Sequence, residues 1–339
     1  MPNTLNRRNF SLLTAATGLG AYLLPLAGFS PRRSEPVAGK RVGIIGLDTS
    51  HSIAFTKELN SPTPNPDWAG YRVVAAYPKG SNDIESSVKR IPGYIEEVKK
   101  MGVEITDSLE SLLGKVDVVL LETNDGRLHR EQALKVFATG KRVFIDKPIA
   151  ASLTDAIAIF EAAKKKGLTT FSASSLRYIK GLQGLDKSQV VGADTFSPAV
   201  LEKTHPDLFW YGVHGVETLY TVMGPGCQSV VRVHTPDTDV VVGTWSDGRV
   251  GTFRGTRTGK HEYGGTVYTK NGNVTLGPYG GYNPLLKDII QYFETGETPV
   301  KPEETLEIFA FMEAADESKR RGGAAVTLES VMKKAQKAL

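Results

Sequence analysis

Lys147 is the residue whose type and setting most directly allow catalysis. Lys147 follows the apolar run Val143-Phe-Ile145 and Asp146, and Pro148 fixes the turn beyond it. An ammonium group held at a strand end can stabilise an alkoxide or carbonyl oxygen and help move a proton. His214 lies in a helical pattern, with Trp210, Tyr211, Glu217 and Thr218 at spacings of three and four. Near its reference pKa of ~6.5 an imidazole can accept a proton. Trp210 and Tyr211 give the same stretch an aromatic face.

These side chains need a scaffold that gathers strand ends. From residue 41 to about 175, strand and helix patterns alternate. The strands are Val42–Ile45, Arg72–Tyr77, Val103–Ile105, Val118–Leu121, Val143–Ile145 and Thr169–Ala173. Between them, Ser87–Met101 reads as a helix disturbed by Pro92-Gly93. Asp107 with Glu110 reads as a capping box, His129–Thr139 as a helix closed by Gly140, and Ser152 with Asp155 as another helix start. Strict alternation of this kind predicts a doubly wound α/β parallel sheet of the Rossmann type. Ligands of such sheets sit beyond the carboxyl ends of the strands. There the sequence places Asp48, Thr49, Ser50 and His51, then Lys79 and Ser81, then Glu122 and Asn124, then Asp146 and Lys147, and finally Arg177.

The second half changes character. Leu208–Met223 reads as one helix ended by Gly224-Pro225. Strand-like runs follow at Ser229–Val233, Val240–Trp245, Val250–Arg254 and Gly265–Thr269, with Asn271-Gly272 as a hairpin signal. Three helices close the chain. The expectation is an α+β domain with a mainly antiparallel open sheet. The segments are thus 1–38, a signal and linker; 39–175, the Rossmann domain; and 176–339, a substrate and oligomerisation domain.

Asp146-Lys-Pro148 resembles the Glu-Lys-Pro motif of the Gfo/Idh/MocA family, which includes glucose–fructose oxidoreductase and inositol dehydrogenase. His129-Arg-Glu-Gln-Ala-Leu134, Arg177-Tyr178, Gly212-Val-His214, Gly296-Glu-Thr-Pro-Val300 and Glu304-Thr-Leu306 resemble further family segments in order. The resemblance implies NAD or NADP in the first domain, with a sugar or polyol between the domains, flanked by Lys147 and His214. It assigns Gly46 and the rim residues above to the cofactor, and Trp210, Tyr211, Asp207 and His214 to the substrate. Three positions depart from it. Asp48 and His51 stand where the dinucleotide fingerprint has its second and third glycines, leaving only Gly46. Pro78 replaces the acid that grips the adenosine ribose, and Lys79 with Ser81 would accept a 2′-phosphate. Trp210 stands where the family has an aspartate four residues before the histidine; Asp207 lies three residues earlier still.

The chain has 339 residues, a formal charge of +4, 23% charged and 40% hydrophobic residues. So small and dispersed a charge gives no reason to propose nucleic acid. Asn6-Arg-Arg-Asn-Phe-Ser-Leu12 resembles a twin-arginine export signal, and Leu12–Ala27, broken by Pro25, suits a signal core rather than a membrane span. Export to the periplasm, with the cofactor tightly bound, and no membrane span in the mature form are therefore expected. A homo-oligomer is expected from the resemblance. No metal site is expected, since Asp48 and His51 lack a third ligand at convincing spacing. Two other readings stay open. One is a redox-assisted glycosidase or lyase with retained NAD. The other is a cofactor-free sugar-binding accessory protein, which the departures favour and Lys147, His214 and Arg177 oppose.

Overall fold

A computed structural model describes residues 39–339. The twin-arginine segment and the linker to residue 38 lie outside the described residues. The first sheet is built from β1 (Arg41–Ile45), β2 (Arg72–Tyr77), β3 (Glu104–Ile105), β4 (Val118–Leu121), β5 (Arg142–Ile145) and β6 (Thr170–Phe171). Its order is β3-β2-β1-β4-β5-β6, with every pairing parallel. The order reverses at β1/β4, so a crevice opens beyond these two strands. Val42–Ile45 and all of β4 are buried, as strands covered on both faces must be.

The covering helices are α1 (Ser50–Leu59), α2 (Glu85–Lys100), α3 (Leu109–Leu113), α4 (Gly126–Ala138) and α5 (Leu153–Lys165). Ser152 caps α5 as expected, accepting the Asp155 N–H at 3.1 Å. The cap of α3 is Ser108 rather than Asp107; its hydroxyl accepts the Ser111 N–H. Helix α2 runs unbroken through Pro92, contrary to the sequence expectation. Pro92 and Gly93 are exposed, so water can reach the carbonyl the proline frees.

The second half begins with β7 (Val190–Pro198), a strand the sequence pattern hid behind Gly192, Asp194 and Pro198. The expected single helix is two, α6 (Asp207–Trp210) and α7 (Val213–Met223). Between them Tyr211 turns away, and a Cβ on Gly212 would lie 3.0 Å from the Leu208 side chain. Then come β8 (Cys227–His234), β9 (Thr238–Trp245), β10 (Val250–Thr256), β11 (Gly264–Thr269) and β12 (Gly272–Leu276). The chain ends with α8 (Asn283–Thr295), α9 (Pro302–Arg320), β13 (Val326–Thr327) and α10 (Leu328–Lys337). The sheet order is β12-β11-β7-β10-β9-β8-β13, antiparallel except where β7 meets β10. Helices α7 and α9 pack on this sheet, while Val231, Val233 and Val250 stand exposed.

Helix α8 belongs with the first sheet. Leu285, Leu286, Ile289, Ile290 and Phe293 share a core with Val42, Ile44, Phe55 and Phe144. Arg142 donates to the Phe293 carbonyl at 2.5 Å, and the Tyr292 hydroxyl donates to the Thr169 carbonyl at 2.5 Å.

The second half is pinned by Arg232, 1% exposed. Its guanidinium donates to Asp239 at 2.8 Å, to Asp207 at 2.7 Å and to Asp316, tying β8 to β9, α6 and α9. Burial pushes the Asp316 carboxyl up to about 7; Arg232 opposes this, and the charges of Asp207 and Glu313 add to it. A carboxyl raised on folding contributes stability at low pH that is lost as pH rises toward its folded value, at about 1.4 kcal/mol per pH unit. Asp316→Asn should therefore flatten a fall in melting temperature that the native chain shows between about pH 4 and 7. Parallel thermal scans of the two proteins check this, and identical slopes would refute it.

Candidate functional site

Beyond the carboxyl ends of β1, β4 and β5 lies a polar cavity of about 150 Å³. Thr49, Ser50 and His51 reach it from the turn into α1, Asn124 from the turn after β4, and Lys147 from the turn after β5. The second half supplies His214 and Tyr211 from the α6–α7 break, with Tyr263 and Tyr279. Tyr282, one residue before α8, closes the ring. The tyrosine hydroxyls form a linked belt. Tyr263 donates to Tyr211 at 3.1 Å; Tyr279 pairs with Ser175 at 3.0 Å and Tyr282 with Ser50 at 3.4 Å. Burial, then their neighbours, push Tyr263 and Tyr279 upward, so both stay protonated at neutral pH. The belt thus offers neutral hydroxyls and ring edges, which suit a polyhydroxylated molecule.

His214 is held through Ser174. The Ser174 hydroxyl lies 2.7 Å from His214 Nδ1 and accepts the Leu176 N–H at 3.1 Å. The Ser174 N–H donates to Glu217 at 2.9 Å, and Glu217 is paired with Arg177, which also grips Glu304. Arg177 thus positions His214 through Glu217 and Ser174 rather than lining the cavity. Ser174 takes over the orienting role that sequence reasoning gave to an aspartate. Burial first, then the charges of Lys147 and His51, push His214 well below its ordinary value. The expectation of an unperturbed histidine is corrected: His214 is neutral at neutral pH and free to accept a proton.

Behind the cavity wall, His51 Nδ1 lies 2.9 Å from Asp146 and 3.9 Å from Glu122. Burial opposes ionisation of Asp146, but the His51 and Lys147 charges outweigh it and hold Asp146 below the usual carboxylate range. Burial and the Asp146 charge push Glu122 well above that range. Both acids, expected at a cofactor, sit beneath the cavity rather than in it.

Asp48 is wholly buried and inward-facing. Its carboxylate accepts the Asn124 N–H at 3.0 Å and the Ser81 N–H at 3.3 Å, joining the turns after β1, β2 and β4. Gly80 packs so closely that a Cβ there would lie 2.0 Å from the carboxylate. Three other expected residues lie outside the cavity. Lys79 is exposed. Asp207 is taken by Arg232 and by Lys319 at 2.6 Å. Trp210 stacks at 4.9 Å on His205, which is buried beside Asp125. Sequence reasoning missed Arg90, Tyr263, Tyr279 and Tyr282. Tyr279 and Tyr282, three apart in a glycine-rich loop, were the available signal.

Residues 40–174 match the family model described as an oxidoreductase family with an NAD-binding Rossmann fold, GFO_IDH_MocA. Over those residues the chain is similar to the Gfo/Idh/MocA oxidoreductases. An uncharacterized oxidoreductase of Streptococcus pneumoniae is 28% identical over 112 residues, 32% of this chain and 30% of that protein. A 1,5-anhydro-D-fructose reductase of Ensifer adhaerens is 35% identical over 96 residues, 28% of each chain. The match therefore spans less than a third of these curated relatives. The fold extends further. Myo-inositol dehydrogenase of Lactobacillus casei, solved with NAD(H) and myo-inositol, superposes with a TM-score of 0.67 at 18% identity, covering 85% of this chain and 96% of that one.

A dinucleotide is the group such a fold implies, and three features fit it. Gly46, with φ 88°, lies where a Cβ would come within 2.5 Å of the Thr123 backbone. That is the tight turn the fingerprint requires. The Thr49 and Thr123 hydroxyls beside it are buried without a hydrogen-bond partner among the described residues, as polar atoms awaiting a ligand are. Asp48, by contrast, adds a carboxyl group to the same turn, held by the Asn124 and Ser81 N–H groups. Like charges about 4 Å apart repel by roughly 1 kcal/mol even in water. Asp48→Gly should bind NAD or NADP at least about fivefold more tightly than the native chain, measured by isothermal titration. Weaker binding in the variant would instead make Asp48 a ligand of the nucleotide.

Proposed function

We propose that the chain is an oxidoreductase acting on a CH–OH group of a small sugar or polyol. The observation that carries this reading is that Lys147 and a neutral His214 face one polar cavity from opposite halves of the chain. Bound in this fold, NAD or NADP would supply the hydride donor or acceptor, and Thr49, Ser50, Asn124 and Lys147, which line the cavity, would hold it. The tyrosine belt would orient substrate hydroxyls. His214 would take the hydroxyl proton on its free ring nitrogen, and Lys147 would stabilise the oxygen left behind. Tight retention of the cofactor follows if the chain is exported by the twin-arginine route, since free dinucleotide is scarce outside the cytoplasm. Among the described residues no helix is long and apolar enough to cross a membrane. The exposed valines of the second sheet support pairing of that face with a second copy.

Asp48 and the size of the cavity favour one rival. About 150 Å³ is roughly half the lower end of the ~300–1,000 Å³ usual for ligand pockets. That suits a single small ring, as in a sugar-binding protein without a dinucleotide.

Mass analysis of the supernatant from denatured, freshly purified chain separates the two readings. Near-stoichiometric nicotinamide dinucleotide supports the oxidoreductase. Empty protein that also ignores added NAD and NADP leaves the binding protein. With an active substrate in hand, Lys147→Ala should lower kcat about a hundredfold or more. Because His214 is held below its ordinary value, the acid limb of the kcat/KM profile should fall below about pH 6.5. A limb above 7 would exclude His214 as the base.

A further inference from the structure

We propose that His51, Glu122 and Asp146 form a binding site for one divalent first-row transition-metal cation. The three residues come from the first turn of α1 and from the residues directly following β4 and β5. One ligand atom from each lies within 4.8 Å of the others. His51 Nδ1 is 2.9 Å from Asp146 Oδ1 and 3.9 Å from Glu122 Oε2. These separations bracket the roughly 3.3 Å between neighbouring ligand atoms around a tetrahedral ion with bonds of ~2.0–2.1 Å.

A second observation points to an occupant. Glu122 is wholly buried, and neither of its carboxylate oxygens has a hydrogen-bond partner among the described residues; the same holds for Asp146 Oδ2. Buried polar atoms almost always have partners. Here three unpartnered oxygens border the same spot as an imidazole nitrogen. Metal binding displaces ligand protons, and with both carboxyls then ionised and His51 neutral their charge exceeds that of Lys147; a divalent cation would give the orphaned oxygens a ligand.

The donor set selects the metal. One imidazole nitrogen with carboxylate oxygens suits Zn²⁺, Mn²⁺, Fe²⁺ or Co²⁺, and the nitrogen disfavours Ca²⁺ and Mg²⁺, which take oxygen ligands. Sequence spacing could not show the site, because each ligand follows a different strand and only the parallel sheet brings them together. The cation would fix His51, whose ring meets Tyr282 at 4.7 Å on the cavity wall. It would therefore set part of the cavity's shape whatever molecule the cavity takes.

The test uses the whole purified chain, stripped with a chelator, dialysed, and titrated with Co²⁺ and with Zn²⁺. The expected result is one equivalent bound, with Co²⁺ ligand-field bands in the visible and a Zn²⁺-dependent rise in melting temperature. Glu122→Gln and Asp146→Asn, each with an unchanged circular dichroism spectrum, should bind more weakly by more than the ~10–100-fold of a lost outer-sphere partner. Asp83→Asn, an exposed carboxylate away from the cluster, should bind as the native chain does. Native chain that binds neither ion at millimolar concentration overturns the proposal. So does binding unchanged in whichever of the two ligand variants folds. Neither readout needs a sugar or a dinucleotide, so the result stands apart from the redox reading.

Discussion

Strands β1, β4 and β5 finish at one rim, and the side chains that follow them turn into the protein rather than toward water. His51, Glu122, Asp146, Lys147 and His214 therefore share a poorly hydrated space in which each charge is set by its neighbours. Asp146 stays ionised because His51 and Lys147 outweigh its burial. Glu122 is pushed the other way by burial and by Asp146. His214 is kept neutral by burial and by the same lysine that lies across the cavity from it. Lys147 thus does more than face a substrate. Its charge adds to the burial that keeps His214 neutral.

The second half contributes by holding this arrangement still. Arg177 ties Glu217 to Glu304, Glu217 holds the Ser174 backbone, and the Ser174 hydroxyl meets His214. Each link is a charge-assisted or buried hydrogen bond, the kind whose loss leaves an unsatisfied partner. Further from the cavity, Arg232 does the same for the sheet against α6 and α9.

Much of this was legible in the sequence, for particular reasons. The parallel sheet could be read because β1 and β4 are short apolar runs separated by capped helices. Lys147 could be read because it ends such a run, and His214 because its helix places polar and aromatic residues around it. What failed was reach. Asp207 was assigned to the substrate, but Arg232 and Lys319 hold it away from the cavity. Ser174, distant in sequence, orients His214 because it caps the short turn Ser175–Tyr178 that follows β6. Glu122 and Asp146 were placed at the rim correctly, yet their depth below it depends on the packing of α1 and α8, which no local pattern encodes. Strand β7 was lost because glycine, aspartate and proline dilute its alternation.

Helix α8 has an evolutionary consequence. It is encoded after the whole second sheet but completes the apolar layer of the first, so residues 39–175 are not a transplantable module. Recombination at that boundary would exchange the second sheet only together with the helix that seals the core of the first. Tyr282, joined to the start of α8, would travel in the same exchange. The shape of the cavity and the integrity of the first sheet are therefore inherited as one trait, and a new cavity shape is more easily reached by substitutions at Tyr263, Tyr279 and Tyr282 than by swapping the second half.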